Sequence, residues 1–217
     1  PNADYYKKTN HPNPWKENGQ KKRIVYAPHF AIIAEGWLHR DGFLWTGELI
    51  QQIAEQKKKK IQVAFKPHPR LKTELYNHQE WGKEKTDKYY EKWISMENGQ
   101  IEEGGFIDLF VHSDAIIHDS GSFTGEYLYV NKPCMFLARD SKLVTHELDE
   151  FGLKCFNLHY LGQSAEDVER FVTDIVIANK DPKRDERTSF YNDFLVPPNG
   201  KSVAENMYNE IVNSLFF

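Results

Sequence analysis

Ser120-Gly121-Ser122 stands between a short apolar run, Ala115 to His118, and a stretch of helical character from Ser122 to Val130. A strand that turns through Ser and Gly into a helix points unpaired backbone N–H groups and hydroxyls at one spot, which suits a phosphate. Gly121 lets the backbone approach a ligand closely. Ser122 can act as a plain helix cap or turn its hydroxyl toward an anion, and residue types alone leave both open. Glu126, about one helical turn past Ser122, is a candidate acceptor for ribose hydroxyls; read in isolation it is a surface charge. Asp119 is expected to brace the turn through its backbone N–H groups.

Lys66-Pro67-His68-Pro69-Arg70 carries the second signal. Two prolines hold His68 in extended backbone at a strand end, so it cannot relax into a helix. His68 can donate to a phosphate oxygen or take part in proton transfer, with Lys66 and Arg70 adding positive charge. His29 follows Pro28 at another strand end and is a candidate for proton transfer or an incidental loop residue. His118 is expected inside a strand as a core residue. His112, His146 and His159 have no metal-ligand spacing, so no metal is assigned. The GxxxxGK[ST], GxGxxG and GxSxG patterns are all absent, and nothing calls for a cofactor.

The elements that must position these residues alternate. Strands are expected at Arg23 to Pro28, Ile61 to Phe65, Ala115 to His118, Pro133 to Ala138 and Cys155 to Leu158, with a short one within 101–105. Helices are expected at Trp45 to Gln56, across part of the charged stretch holding Trp81, Tyr89, Tyr90 and Trp93, at Phe106 to Val111, at Ser122 to Val130, at Val144 to Phe151, from Ser164 onward and over 201–216. Residues 30–44, with Gly36, His39, Arg40 and Gly42, read as a long loop. Residues 1–20, rich in Asn, Pro and Lys, read as a linker or surface segment, and 21–217 as one α/β domain: a Rossmann-like, open, mostly parallel sheet with helices on both faces. Ligands bind such sheets at the carboxyl ends of the strands, where His29, His68 and Ser120 all fall.

Bulk properties fit this reading. Hydrophobic residues make up 40% and charged residues 28% of the 217 residues, as in ordinary soluble domains. A formal charge of −4 argues against a dedicated nucleic-acid partner. Cys134 and Cys155 have no CxxC spacing and read as buried, reduced thiols of a cytosolic protein. No apolar run reaches the ~18 residues of a membrane span.

Taken together, Tyr26-Ala27-Pro28, Lys66-Pro67-His68-Pro69, Ser113 to Glu126, Asn131-Lys132-Pro133, Phe190 to Asp193 and Asn199-Gly200-Lys201-Ser202 resemble the motifs of the CDP-glycerol glycerophosphotransferase family, the teichoic-acid polymerase-like enzymes. Gly121 stands where that family carries the first serine of a pair. The resemblance implies half of a GT-B fold, the carboxy-terminal, donor-binding half, with an acceptor half preceding Pro1 and needed for turnover. It implies a CDP-linked donor, transfer of a phospho-alditol group to a polymer or its lipid-linked primer, and peripheral contact at the inner face of the membrane. The phosphates would meet His68, Ser120, Gly121 and Ser122, the ribose would meet Glu126, and His29 would assist proton transfer. A nucleotide-sugar glycosyltransferase and a non-catalytic binding domain are the alternatives.

Overall fold

The computed structural model describes residues 2–16, 19–32, 42–146 and 148–216. Six strands, β1 (Lys22–Ala27), β2 (Ile61–Phe65), β3 (Gly99–Ile101), β4 (Ala115–His118), β5 (Cys134–Leu137) and β6 (Tyr160–Gly162), form one all-parallel sheet in the order 3-2-1-4-5-6. This is the doubly wound order, and its connections diverge between β1 and β4.

Strand alternation explains the two covered faces. Ile24 and Tyr26 of β1 pack with Ile61, Val63 and Phe65 of β2 under helices α2 (Gly42–Gln56), α3 (Leu71–Asn77) and α4 (Gly82–Ser95). Val25 and Ala27 point the other way, with Ala64 and Ile116, against α5 (Ile107–Val111) and the turn following α6 (Gly121–Glu126). The first face is aromatic: Phe65 stacks on Trp93 at 5.6 Å and meets Tyr89 edge-on at 5.5 Å. Burying each such ring stabilises the fold by roughly 1.5–3 kcal/mol.

Some boundaries differ from the sequence expectation. The loop expected over 30–44 ends earlier, because α2 begins at Gly42; Gly36, His39 and Arg40 lie outside the described residues. The single helix expected at Val144 to Phe151 is two, α7 (Ser141–Thr145) and α8 (Glu150–Asn157). Asp140 caps the first, its carboxylate accepting from Lys142 N, and Asp149 caps the second, accepting from Gly152 N. The strand expected at Cys155 to Leu158 is instead the end of α8 and its cap, and the edge strand is Tyr160–Gly162. Phe151, Cys155 and Leu158 are spaced for one helix face, so a short apolar run was misread as a strand. After β6, α9 (Ala165–Arg170) is capped by Ser164, whose Oγ accepts from Asp167 N and donates to Asp167 Oδ2, while Asp167 Oδ2 also accepts from Gln163 N. Helices α10 (Arg184–Phe190) and α11 (Val203–Phe216) complete the chain.

The segment expected as a linker or surface piece is docked on the domain. It opens with a short helix, α1 (Asn2–Tyr6), and buries Ala3 and Trp15. Trp15 Nε1 donates to Leu109 O, and Lys16 N donates to Gln100 Oε1. Asp4 caps α11 from a distance of about two hundred residues in sequence, its two carboxylate oxygens accepting from Val203 N and Ala204 N. Polar composition hid this, because one tryptophan and a few side-chain hydrogen bonds, rather than a hydrophobic period, hold the segment down.

Candidate active site at the strand switch point

The β1–β4 divergence opens a cavity of about 310 Å³ lined by residues from four loops, among them His29, Lys66, His68, Glu103, Phe106, Ser120, Ser122 and Phe123. Parallel pairing is what brings them together: Ala27 is in register with His118, and Tyr26 with Phe65, so the chain leaves β1, β2 and β4 at one height.

The histidines are fixed by backbone. His68 N donates to Pro28 O, tying the two Pro-flanked loops. The His29 and His68 rings lie 5.3 Å apart with Phe30 against both, at 4.3 and 4.5 Å. His29 Nδ1 accepts from Ala31 N and His68 Nδ1 accepts from Arg70 N. A neutral imidazole that accepts at Nδ1 carries its proton on Nε2, so both rings are assigned as Nε2–H donors. Burial, aided by the Arg70 charge, holds the His68 pKa below its usual value. His68 is therefore neutral at pH 7. The arrangement suits giving a hydrogen bond to an anion; taking a proton at Nε2 would require the other tautomer and the loss of the Nδ1 contacts.

Lys66 is buried, and its ammonium donates to Gly104 O at 2.7 Å and Glu102 O at 3.4 Å. Burial lowers its pKa, against the raising influence of Glu102 and Glu103. It brings a charge into the cavity wall, where it adds to the two imidazole N–H groups. The Lys-Pro-His-Pro run was the legible signal for it.

At the β4 exit the helix cap is Ser120 rather than Ser122. Its backbone is extended, and its side chain makes no capping hydrogen bond. Ser120 N donates instead to His118 Nδ1, and Ser120 O accepts from Thr124 Oγ1. Ser122 sits in the first turn of α6, exposed and on the cavity wall with Ser120, and Gly121 is exposed between them. His118 lies in the strand and is fully buried, as expected. Asp119 also reaches across to the exit of β1: its Oδ1 accepts from His29 N at 2.6 Å.

Glu126 falls outside the cavity wall. It is half-buried, facing Tyr6 and Asn2 of the amino-terminal segment; burial raises its pKa, against the lowering influence of those two groups. Its Oε1 and the Tyr6 hydroxyl are both buried without a hydrogen bond. Phe106 and Phe123, 5.3 Å apart, form an apolar wall that sequence reasoning read only as helix residues. Among the described residues no cluster of three or more His, Cys, Asp or Glu side chains could hold a metal ion, and no helix is long and apolar enough to cross a membrane.

Comparison with known proteins places this geometry. Wall teichoic acid polymerase TagF superposes with a TM-score of 0.50 at 18% identity, covering 98% of this chain and 48% of that one. A TagF variant soaked with CDPG gives 0.52 at 20% identity, over 99% and 47%. The UDP co-structure of MnaA from S. aureus gives 0.53 at 15%, over 90% and 47%. The fold is thus that of a Rossmann-like GT-B half, and the chain spans about half the length of the structures it resembles. No curated protein matches it in sequence. The model of the family CDP-glycerol:poly(glycerophosphate) glycerophosphotransferase matches residues 4–213, which takes in every loop of the cavity, and the chain belongs to that family.

Proposed function

We propose that this chain binds the CDP-linked donor of a glycerophosphotransferase and contributes the donor side of its active site. The observation that carries the reading is the convergence of His29, Lys66, His68, Ser120 and Ser122 on one cavity at the strand switch point, in a chain of this family. In the reaction, an acceptor hydroxyl attacks the β-phosphorus. The bond from that phosphorus to the bridging oxygen breaks, CMP leaves, and the phospho-alditol is joined to the acceptor by a phosphodiester.

Charge develops on the bridging and β-phosphate oxygens, and donors placed beforehand stabilise it without reorganising. His68 Nε2–H, the Lys66 ammonium and the Ser120 and Ser122 hydroxyls supply those donors, with the Gly121 backbone close by. His29 gives a second imidazole N–H and serves the leaving phosphate. Glu126, with its Oε1 buried toward the amino-terminal helix and outside the cavity wall, is given no contact with the ribose in this scheme. The proton of the acceptor hydroxyl goes to a base outside this chain, in an acceptor half that we place before residue 1, because both histidines are held as donors. A polymer carried on a lipid primer brings the whole enzyme to the inner face of the cell membrane as a peripheral contact.

Calorimetric titration with CMP, CDP, CDP-glycerol, UDP and UDP-N-acetylglucosamine tests the reading. Cytidine-selective binding is expected. Uridine selectivity would favour the second reading, a nucleotide-sugar glycosyltransferase. A folded protein that binds none of the five would sink both in favour of a binding domain.

A further inference from the structure

Asp119 is 1% exposed, and it touches more than the histidine loop. Gly42, the buried first residue of α2, sits directly against its carboxylate. A Cβ added at Gly42 would lie 2.9 Å from Asp119 Cγ and closer still to Oδ2. Real Cβ atoms do not approach so near, so the absence of a side chain at position 42 is what admits the carboxylate. The carboxylate then lies at the positive end of the fifteen-residue α2, where negative charge is favoured. The same helix start is anchored to β1 by a short chain of hydroxyls: Thr46 Oγ1 donates to Gly42 O, and the Tyr26 hydroxyl bonds Thr46 Oγ1 at 2.8 Å. Asp119 is close enough to Tyr26 for its charge to add to the burial that raises the tyrosine's pKa.

We infer that Asp119 is a positioning residue that sets the spacing between His29 and the Ser120–Ser122 turn, and that Gly42 is the clearance this requires. One buried carboxylate joins the exit of β1, through His29 N, to the start of α2. It does so from the residue immediately before Ser120. The two halves of the sheet meet here, and between β1 and β4 the ladder ends at Ala27 and His118. Beyond that pair, Asp119 bonding to His29 continues the link the strands no longer supply. The consequence for the donor rests on the function proposed above; the consequence for His29 does not.

Glycine at a helix start gives the test its sign. If Gly42 were only a helix residue, Gly42→Ala would be neutral or stabilising, since alanine favours the helix and restricts the unfolded chain. If Gly42 is clearance, Gly42→Ala displaces the carboxylate. We expect the His29 ring signals to move in the NMR spectrum, assigned against His29→Gln, with those of His78, at the end of α3, unmoved. CDP affinity should fall about tenfold or more, as small misplacements of binding groups do. In an Asp119→Ala background the same substitution should add little, because the opposing atoms are gone; the nearest remaining one, Cβ, is 3.3 Å away. Should Gly42→Ala fail to fold, Asp119→Asn carries the test, since it places an amide donor at the positive helix end: the His29 signals should shift and CDP affinity drop. Unmoved His29 signals in the folded variant would overturn the inference, as would full additivity with Asp119→Ala. Wild-type protein that binds no nucleotide would sink the donor reading alone, leaving the NMR arm to decide the role of Asp119.

Discussion

Two histidine pairs sit at almost the same ring spacing on opposite sides of the Ser120 turn. His29 and His68 are 5.3 Å apart and half-buried at the cavity; His118 and His159 are 5.2 Å apart and fully inside. The outer pair accepts backbone N–H groups at Nδ1, which puts the proton of each ring on Nε2. The inner pair is packed by Phe136, at 5.3 Å from His118 and 6.4 Å from His159. His159 gives its Nδ1–H to Cys155 O, and its Nε2 is buried without a partner. A proton added there would be a buried charge with nothing to pair it, and burial pushes the His159 pKa down to about 4. Equal spacing therefore says little about role. Solvent access separates the pair at the cavity from the inner pair, whose His159 must stay neutral to keep the fold.

Acid breaks this comparison most strongly. Because the folded His159 pKa lies below the ordinary 6.5, the unfolded chain binds the extra proton between those values. Stability from this residue is complete above about pH 6.5 and falls as pH drops toward 4, by about 3 kcal/mol in all. Urea unfolding at pH 7 and pH 4.5 should show the loss, and His159→Gln should flatten it. An unchanged slope in that variant would show that acid acts elsewhere. His68, whose pKa is lowered in the same direction, should add to that slope with the same sign. His68→Ala should weaken CDP binding about 10- to 100-fold, the worth of one hydrogen bond to a charged group. The smallest effect is expected of Ser122→Ala. Removing one neutral donor, it should lower CDP affinity roughly two- to tenfold by calorimetry with no change in unfolding midpoint. A Ser122→Ala loss larger than that of His68→Ala would move the centre of phosphate binding from the histidine loops to the helix turn.

Local physics made much of the molecule legible beforehand. The apolar runs of β1, β2, β4 and β5 match parallel strands covered on both faces, and the Pro-His-Pro loop was bound to be extended. The Ser-Gly-Ser junction was bound to start a helix, and Ser164 to cap one. What failed was the short apolar stretch at Cys155 to Leu158, where strand and helix patterns coincide and the cap at Asp149 decides for helix. The docking of Trp15 was not legible for a related reason, since a single buried ring has no period.

The sequence alone determined that β1, β2, β4 and β5 are strands, which loops carry His29, His68 and Ser120, and that these lie at strand ends. Only the tertiary structure decided that they share one cavity, because a strand order of 3-2-1-4-5-6 follows from crossovers and packing rather than from residue pattern. It also decided which imidazole nitrogen carries the proton, since that depends on the backbone N–H groups of Ala31 and Arg70. The same holds for Glu126, which faces the amino-terminal helix, and for Gly42, whose missing side chain matters because a carboxylate distant in sequence occupies its place.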